Sequence, residues 1–218
     1  MGFKTKARKL LKGMVILSEQ FGLRKSIWTS SSIDKNGNPV PWYTFPSCEY
    51  LKGLDLRKYE VLEFGSGNSS KFWQSRVRKL TSVEHNKDWF EKLKTEFSAN
   101  NFTVILAEDH DDYINAAKNI NYDIVIIDGV HRLDCTKAII DFNPEISLII
   151  LDNSDRHPCC AELIRRKLNL IQVDFHGFGP INSYTWTTSI FFSRKFKTEP
   201  YQNTALPDIP LGGLIDCK

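Results

Sequence analysis

Val61-Leu62-Glu63-Phe64-Gly65-Ser66-Gly67-Asn68-Ser69 carries an apolar strand straight into a turn built on two glycines. Glycine tolerates φ > 0 and has no Cβ, so the backbone at 65 and 67 can come close to a ligand. A second apolar run, Leu80-Thr81-Ser82-Val83, ends on another acid, Glu84. A carboxylate about 20 residues beyond such a turn suits ribose hydroxyls. The spacing predicts a nucleoside site with Glu63, Gly65, Gly67, Ser69 and Glu84 around the ligand; a plain glycine link between strand and helix is the alternative.

Two kinds of cofactor use a turn of this sort. A dinucleotide site wants Gly-x-Gly-x-x-Gly, in which the third glycine lets the helix pack closely on the strand and its N-terminus faces a pyrophosphate. Here the third position is Ser70. Glu63, just before the turn, repels a phosphate and attracts a cation or an amino group. These residues resemble the first motif of class I S-adenosylmethionine-dependent methyltransferases, acid-x-Gly-x-Gly-x-Ser/Thr, over a stretch covering about residues 60–192. The resemblance implies S-adenosylmethionine as cofactor, because that molecule brings a sulfonium and an ammonium and no phosphate.

The rest of the chain repeats the unit. Short apolar runs at 60–64, 80–84, 102–106, 122–128 and 146–151 alternate with polar-rich helical stretches at 69–79, 87–98, 111–119, 132–141 and 157–168. That rhythm predicts an α/β, Rossmann-like doubly wound parallel sheet. Two β-rich runs then come, 170–175 and 185–192, joined through Gly177, Gly179 and Pro180 with no helix between them. Parallel neighbours need a crossover of about a dozen residues or more, so this last pair is expected to be antiparallel. A seven-stranded sheet with an antiparallel last strand is also what the resemblance implies. The expected organisation is an N-terminal helical arm and aromatic lid segment (1–58), a cofactor-binding domain (59–194) and a C-terminal tail (195–218).

In an open parallel sheet, ligands collect beyond the carboxyl ends of the strands, and those positions are polar here. Ala107-Glu108-Asp109-His110 comes after the third run. The resemblance implies an acid there for the adenine amino group, with Asp109 first and Glu108 as alternate; a helix N-cap explains Asp109 as well. Asp128-Gly129-Val130-His131-Arg132 comes after the fourth run and Asp152-Asn153-Ser154-Asp155-Arg156 after the fifth. Asp128, Asp152 and Asn153 supply hard oxygen ligands of the kind Mg²⁺ takes. The pattern resembles divalent-metal-dependent O-methyltransferases, the group of catechol and caffeoyl-coenzyme A O-methyltransferases, which implies a magnesium ion on those three residues. The other reading is that Asp128 orients substrate and Asp152 caps the next helix. His131 is the candidate general base beside Asp128, or a residue supporting it. Arg132 and Arg156 can clamp an acidic substrate group. The lysine-type base of that group has no counterpart, and Asn143-Pro144-Glu145 stands where a Gly-Gly often precedes the fifth strand. The Asp-Gly-x-His element looks closer to bacterial methyltransferases of secondary metabolites or cell-surface sugars.

Composition limits the remaining choices. No run approaches the ~18 apolar residues of a membrane span. Five scattered cysteines without a CxxC pair argue against a disulfide framework and a structural zinc site, and for a reducing, cytoplasmic compartment. Adjacent Cys159 and Cys160 read as two buried helix residues or as a redox pair. Residues 1–28 hold seven basic residues against one acid, so the net charge of +3 is a strongly basic arm on a mildly acidic body. Phe3, Ala7, Leu10, Leu11, Met14, Leu17 and Phe21 keep helical spacing up to Gly22. Such a helix suits its own domain, a second subunit in a homodimer, an anionic membrane surface met peripherally, nucleic acid or an acidic partner. The broken apolar stretch at Lys12-Gly13 speaks against a secretory signal.

The leading expectation is O-methylation of a hydroxyl on a small molecule or sugar with Mg²⁺ assistance. A nucleic-acid methyltransferase is the second reading, although Ile127-Asp128-Gly129-Val130 lacks the Asn/Asp-Pro-Pro-aromatic motif of enzymes that methylate base amino groups. A non-catalytic interaction module is the third.

Overall fold

Side chains of a strand alternate between the two faces of a sheet, and here both faces are apolar. From β1 (Leu56–Phe64) and β4 (Ile124–Ile127), Leu62, Phe64, Val125 and Ile127 enter one core, while Val61, Ile124 and Ile126 enter the other. Strands buried on both sides read as continuous hydrophobic runs, which is why the rhythm was legible. The computed structural model describes residues 2–203 and 209–213.

The remaining strands are β2 (Val77–Glu84), β3 (Phe102–Leu106), β5 (Leu148–Asp152), β6 (Ile171–Gly177) and β7 (Trp186–Phe192). They form one seven-stranded sheet in the order β3-β2-β1-β4-β5-β7-β6. The pairs from β3 to β5 are parallel, and β7 runs antiparallel to both β5 and β6. The order reverses between β1 and β4, which places a crevice at the carboxyl ends of those two strands. This is the expected doubly wound, Rossmann-like fold with its reversed last strand.

Helices α1 (Phe3–Val15), α2 (Leu23–Thr29), α3 (Phe45–Lys52), α4 (Asn68–Gln74), α5 (Lys87–Glu96), α6 (His110–Asn115), α7 (Arg132–Phe142) and α8 (Pro158–Leu168) complete the chain. Residues of α6, α7 and α8 (Tyr113, Cys135, Ile139, Cys160, Ile164) cover the first face. Residues of α3 and α4 (Cys48, Leu51, Phe72, Trp73) cover the second. Each fully buried aliphatic or aromatic side chain here contributes about 1.5–3 kcal/mol.

Several boundaries differ from the sequence reading. α4 ends at Gln74, well short of 79, because Val77 already pairs with Leu56 as a buried strand residue. Tyr43, Cys48, Leu51 and Leu54 share a core with Val61 and Ile126. The described part of the tail runs back along β1: Tyr59 Oη donates to Lys197 O, and Asp55 N–H to Glu199 O. Cys160 is buried as expected, but Cys159 faces solvent, and Cys217 lies outside the described residues. No helix among the described residues is long and apolar enough to cross a membrane.

Candidate cofactor and active site

The turn after β1 is held from three sides. Gly65 has φ +92, and a Cβ there would meet Gly129 Cα at 2.8 Å and Gly129 N at 2.9 Å. The glycine is therefore required twice, for its backbone angle and for the contact between the β1 and β4 turns. Ser66 donates from its N–H (3.0 Å) and its hydroxyl (2.7 Å) to Glu84 Oε2, and Asn86 N–H donates to Oε1 at 2.8 Å. Trp89, on α5, lies across the turn and donates from Nε1 to Ser66 O at 2.8 Å. Asn68 Nδ2 ties the turn to Ser31 Oγ and Ser32 O. Glu84 thus stands where the spacing placed it, at the edge of the turn and 3% exposed. Ser69 is buried at the start of α4.

Glu63 sits deeper than the sequence suggested, with no solvent exposure. Its Oε2 accepts from Ser70 Oγ and Ser82 Oγ, both at 2.5 Å, while Oε1 meets no partner. Ser70 Oγ also accepts from Gly67 N–H at 3.0 Å. This explains serine in place of the third glycine: one hydroxyl caps the helix and satisfies a buried carboxyl beneath it. Burial pushes the Glu63 carboxyl up to about 7, against the lowering effect of the Ser69, Ser70 and Ser82 hydroxyls.

The two-residue period of the strands puts a line of polar groups on the face that carries Val61 and Ile126. Ser82 of β2 pairs in register with Glu63, and Glu63 with Ile126. Asp128 continues that face beyond β4, and Asp152 ends it on β5, opposite Thr188 of β7. Tyr43 is wholly buried over this row, and its hydroxyl meets no hydrogen-bond partner. Burial, then the charges of Asp128, Glu63 and Asp152, hold the Tyr43 phenol well above its usual range. Burial and the Asp152 charge likewise raise the Asp128 carboxyl, opposed by Arg132. Asp152 rises to about 6 through burial, opposed by its bonds to Thr188 and Trp186.

Arg132 is the cation of this row. Its side chain is 11% exposed and pairs with Asp128 Oδ1 at 3.1 Å. It also donates to the backbone oxygens of Gly129, Asp128 and Asp152, stapling the ends of β4 and β5. The guanidinium is used internally and is not free to clamp a substrate. Arg156 lies on the Tyr184 ring at the surface, 5.2 Å from its centroid.

The expected magnesium set on Asp128, Asp152 and Asn153 does not fit this arrangement. Asp152 Oδ1 already accepts from Thr188 Oγ1 (2.6 Å) and Trp186 Nε1 (3.0 Å), and the guanidinium occupies the space between the two strand ends. Asn153 is a left-handed residue, φ +53, in the turn after β5. Among the described residues no group of three or more His, Cys, Asp or Glu side chains is placed to hold a metal ion.

The other expected residues lie at the rim. Asp109 is an N-cap, its carboxylate accepting from Asp111 N–H at 2.8 Å, and both Glu108 and Asp109 are exposed. His131 is exposed with φ +52, its ring 4.5 Å from that of His110. It does not bond to Asp128. Ser82, Trp89 and Thr188 escaped the sequence reading, which had Ser70 only as the departure from the dinucleotide motif and Tyr43 only as part of the aromatic lid segment. The signal for Ser82 and Thr188 was present in the strand parity, whereas Tyr43 and Trp89 arrive from separate segments. A cavity of about 490 Å³ opens at the opposite end of the sheet beside Glu60, Arg78 and Asp123, far from this chemistry.

No protein-family model and no curated protein matches the chain. Among solved structures, precorrin 8W decarboxylase of Methanobacterium thermoautotrophicum is similar at 16% identity, covering 71% of this chain and 93% of that one, with a TM-score of 0.48. Precorrin-6y C5,15-methyltransferase from Geobacter metallireducens has 14% identity, 67% and 86% coverage and a TM-score of 0.49. A putative methyltransferase from Streptococcus mutans, solved with SAH, has 15% identity, 68% and 96% coverage and a TM-score of 0.47. At these values the likenesses carry no argument about activity, and the fold rests on the strand order itself.

Proposed function

We propose that this chain is an S-adenosylmethionine-dependent methyltransferase that methylates a hydroxyl of a small molecule or sugar. The observation that carries the reading is the charge of the crevice. The carboxyl groups of Glu63, Glu84, Asp128 and Asp152 stand at the ends of neighbouring strands beside a glycine turn, and the guanidinium among them is already bound. Such a field disfavours a phosphate and favours a cationic ligand. Glu63 Oε1, a buried acceptor without a donor, fits a cofactor that brings an ammonium group.

When bound, S-adenosylmethionine supplies a methyl group on a positively charged sulfur. Glu84 holds the ribose hydroxyls in this reading, the Gly65–Gly67 backbone and Ser69 line its approach, and Glu63 provides the charge that faces the ammonium. Asp109, or Glu108 beside it, takes the adenine amino group. Asp128, its carboxyl raised by burial and by Asp152, takes the proton of the acceptor hydroxyl, with His131 at the rim as the second proton-handling group. No metal step enters the proposal, because Arg132 fills the cation's place.

Titration calorimetry with S-adenosylmethionine and S-adenosylhomocysteine tests it. Dissociation constants below about 1 mM are expected, unchanged by EDTA and weakened at least ~10-fold in Glu84→Ala. Absence of binding by either compound at millimolar concentration overturns the reading. Transfer of a labelled methyl group to RNA rather than to hydroxyl compounds would keep the cofactor and overturn the acceptor.

A further inference from the structure

We propose that α1 is a docking element for an anionic lipid surface. No residue of α1 is buried. Phe3 is 86% exposed, Leu10 69%, Leu11 61% and Met14 59%, a concentration of bare apolar surface without parallel elsewhere among the described residues. At about 100° per residue, Phe3, Ala7, Leu10, Leu11, Met14 and Val15 fall on one arc. Arg8, Lys9, Lys12 and Lys6 fall on the remaining arc, Lys4 lies within the apolar arc between Leu11 and Val15, and the helix contains no acid. The chain is tied to the body just beyond the C-terminal end of α1, where Phe21 packs on Phe45 with ring centroids 4.7 Å apart and Ile16 lies against Gly212.

The composition decides among occupants. A second copy pairing helix to helix would bring five more positive charges against these five, and α1 carries no acid to meet them. RNA would satisfy the bases but leave Phe3, Leu10, Leu11 and Met14 in water. An anionic bilayer takes both faces at once, the apolar arc in the acyl boundary and the bases among the headgroups. Trp28 on α2, 80% exposed, adds a residue type favoured at that boundary.

Vesicle co-sedimentation of the full chain tests the proposal. Vesicles of phosphatidylcholine with about 30% phosphatidylglycerol should bind the protein, pure phosphatidylcholine should not, and binding should fall as NaCl rises from about 0.1 to 0.5 M. Changing Lys4, Lys6, Arg8 and Lys9 together to Gln should weaken partitioning on the order of 1,000-fold. Leu10→Ser with Leu11→Ser should weaken it about 10-fold or more. Both variants should keep the wild-type melting temperature, because α1 buries nothing. Any of these results overturns the proposal: no preference for anionic vesicles, binding that survives both variants, or a dimer in light scattering that the Leu10/Leu11 variant abolishes while vesicle binding is absent. Salt-sensitive RNA binding that persists in the Leu10/Leu11 variant, without vesicle binding, would assign the helix to nucleic acid and also overturn it.

Discussion

Glu63 shows how one residue couples stability to ligand. Its folded carboxyl titrates near 7 rather than at 4.5 because it is buried, so the proton is held more tightly in the folded chain. The stability this gives is fully present below about pH 4.5 and is lost as pH rises through about 7, on the order of 3 kcal/mol. The melting temperature of the ligand-free protein should therefore fall between pH 5 and 8, and the fall should shrink in Glu63→Gln; equal slopes in differential scanning calorimetry would contradict this account. Gly129 makes a second case. A Cβ there would stand 2.1 Å from Tyr113 Oη and 2.9 Å from Gly65 N. Gly129→Ala should cost about 1–3 kcal/mol in urea unfolding. Tyr113→Phe should return part of that loss while costing little alone, since the hydroxyl it removes is buried without a partner.

At the scale of elements, the ends of β4 and β5 are joined by Arg132 rather than by a metal. Removing the guanidinium leaves Asp128 and Asp152 facing each other and strips donors from the backbone oxygens of Gly129 and Asp152. Arg132→Gln should destabilise the fold by about 3–5 kcal/mol, as for a broken buried pair. Mg²⁺ should raise the melting temperature of that variant but not of the wild type. A wild-type protein stabilised by Mg²⁺ and weakened by EDTA would show that the arginine does not do the cation's work. The β6–β7 hairpin and the segment around Tyr43 form a second element-level unit. Phe45 N–H donates to Phe178 O at 2.7 Å, Thr44 N–H to Thr188 Oγ1 at 3.1 Å, and Gly179 lies against Tyr43 O and Trp186. Together they wall the polar row on the side away from the turn.

Across the whole molecule, stability and surface behaviour separate. The two cores flank the sheet, and α1 joins neither. Removing residues 2–15 should leave the melting temperature within about 2 °C of the full chain, because surface segments away from packed features change stability by less than about 0.5 kcal/mol. A drop of about 10 °C or more would mean that the arm packs on the body in solution.

The alternation of buried runs, the glycine turn and the helix-free link before β7 determined the fold and the place of Glu84, because each depends on local periodicity and chain reach. The same local chemistry named Glu63, Asp128 and Asp152 as polar strand ends, and the period of two already placed them on one face. Their partners were decided only by tertiary structure. Thr188 lies 36 residues beyond Asp152 and Tyr43 comes from before β1, so neither contact can be read from spacing. Arg132 shows the limit most plainly: in the sequence it reads as a clamp for an acidic substrate group, and only the approach of Asp152 O across the β4–β5 pair makes it the internal centre of the site. Charge in the sequence fixes which groups exist, while burial and register fix whether they face a ligand or one another.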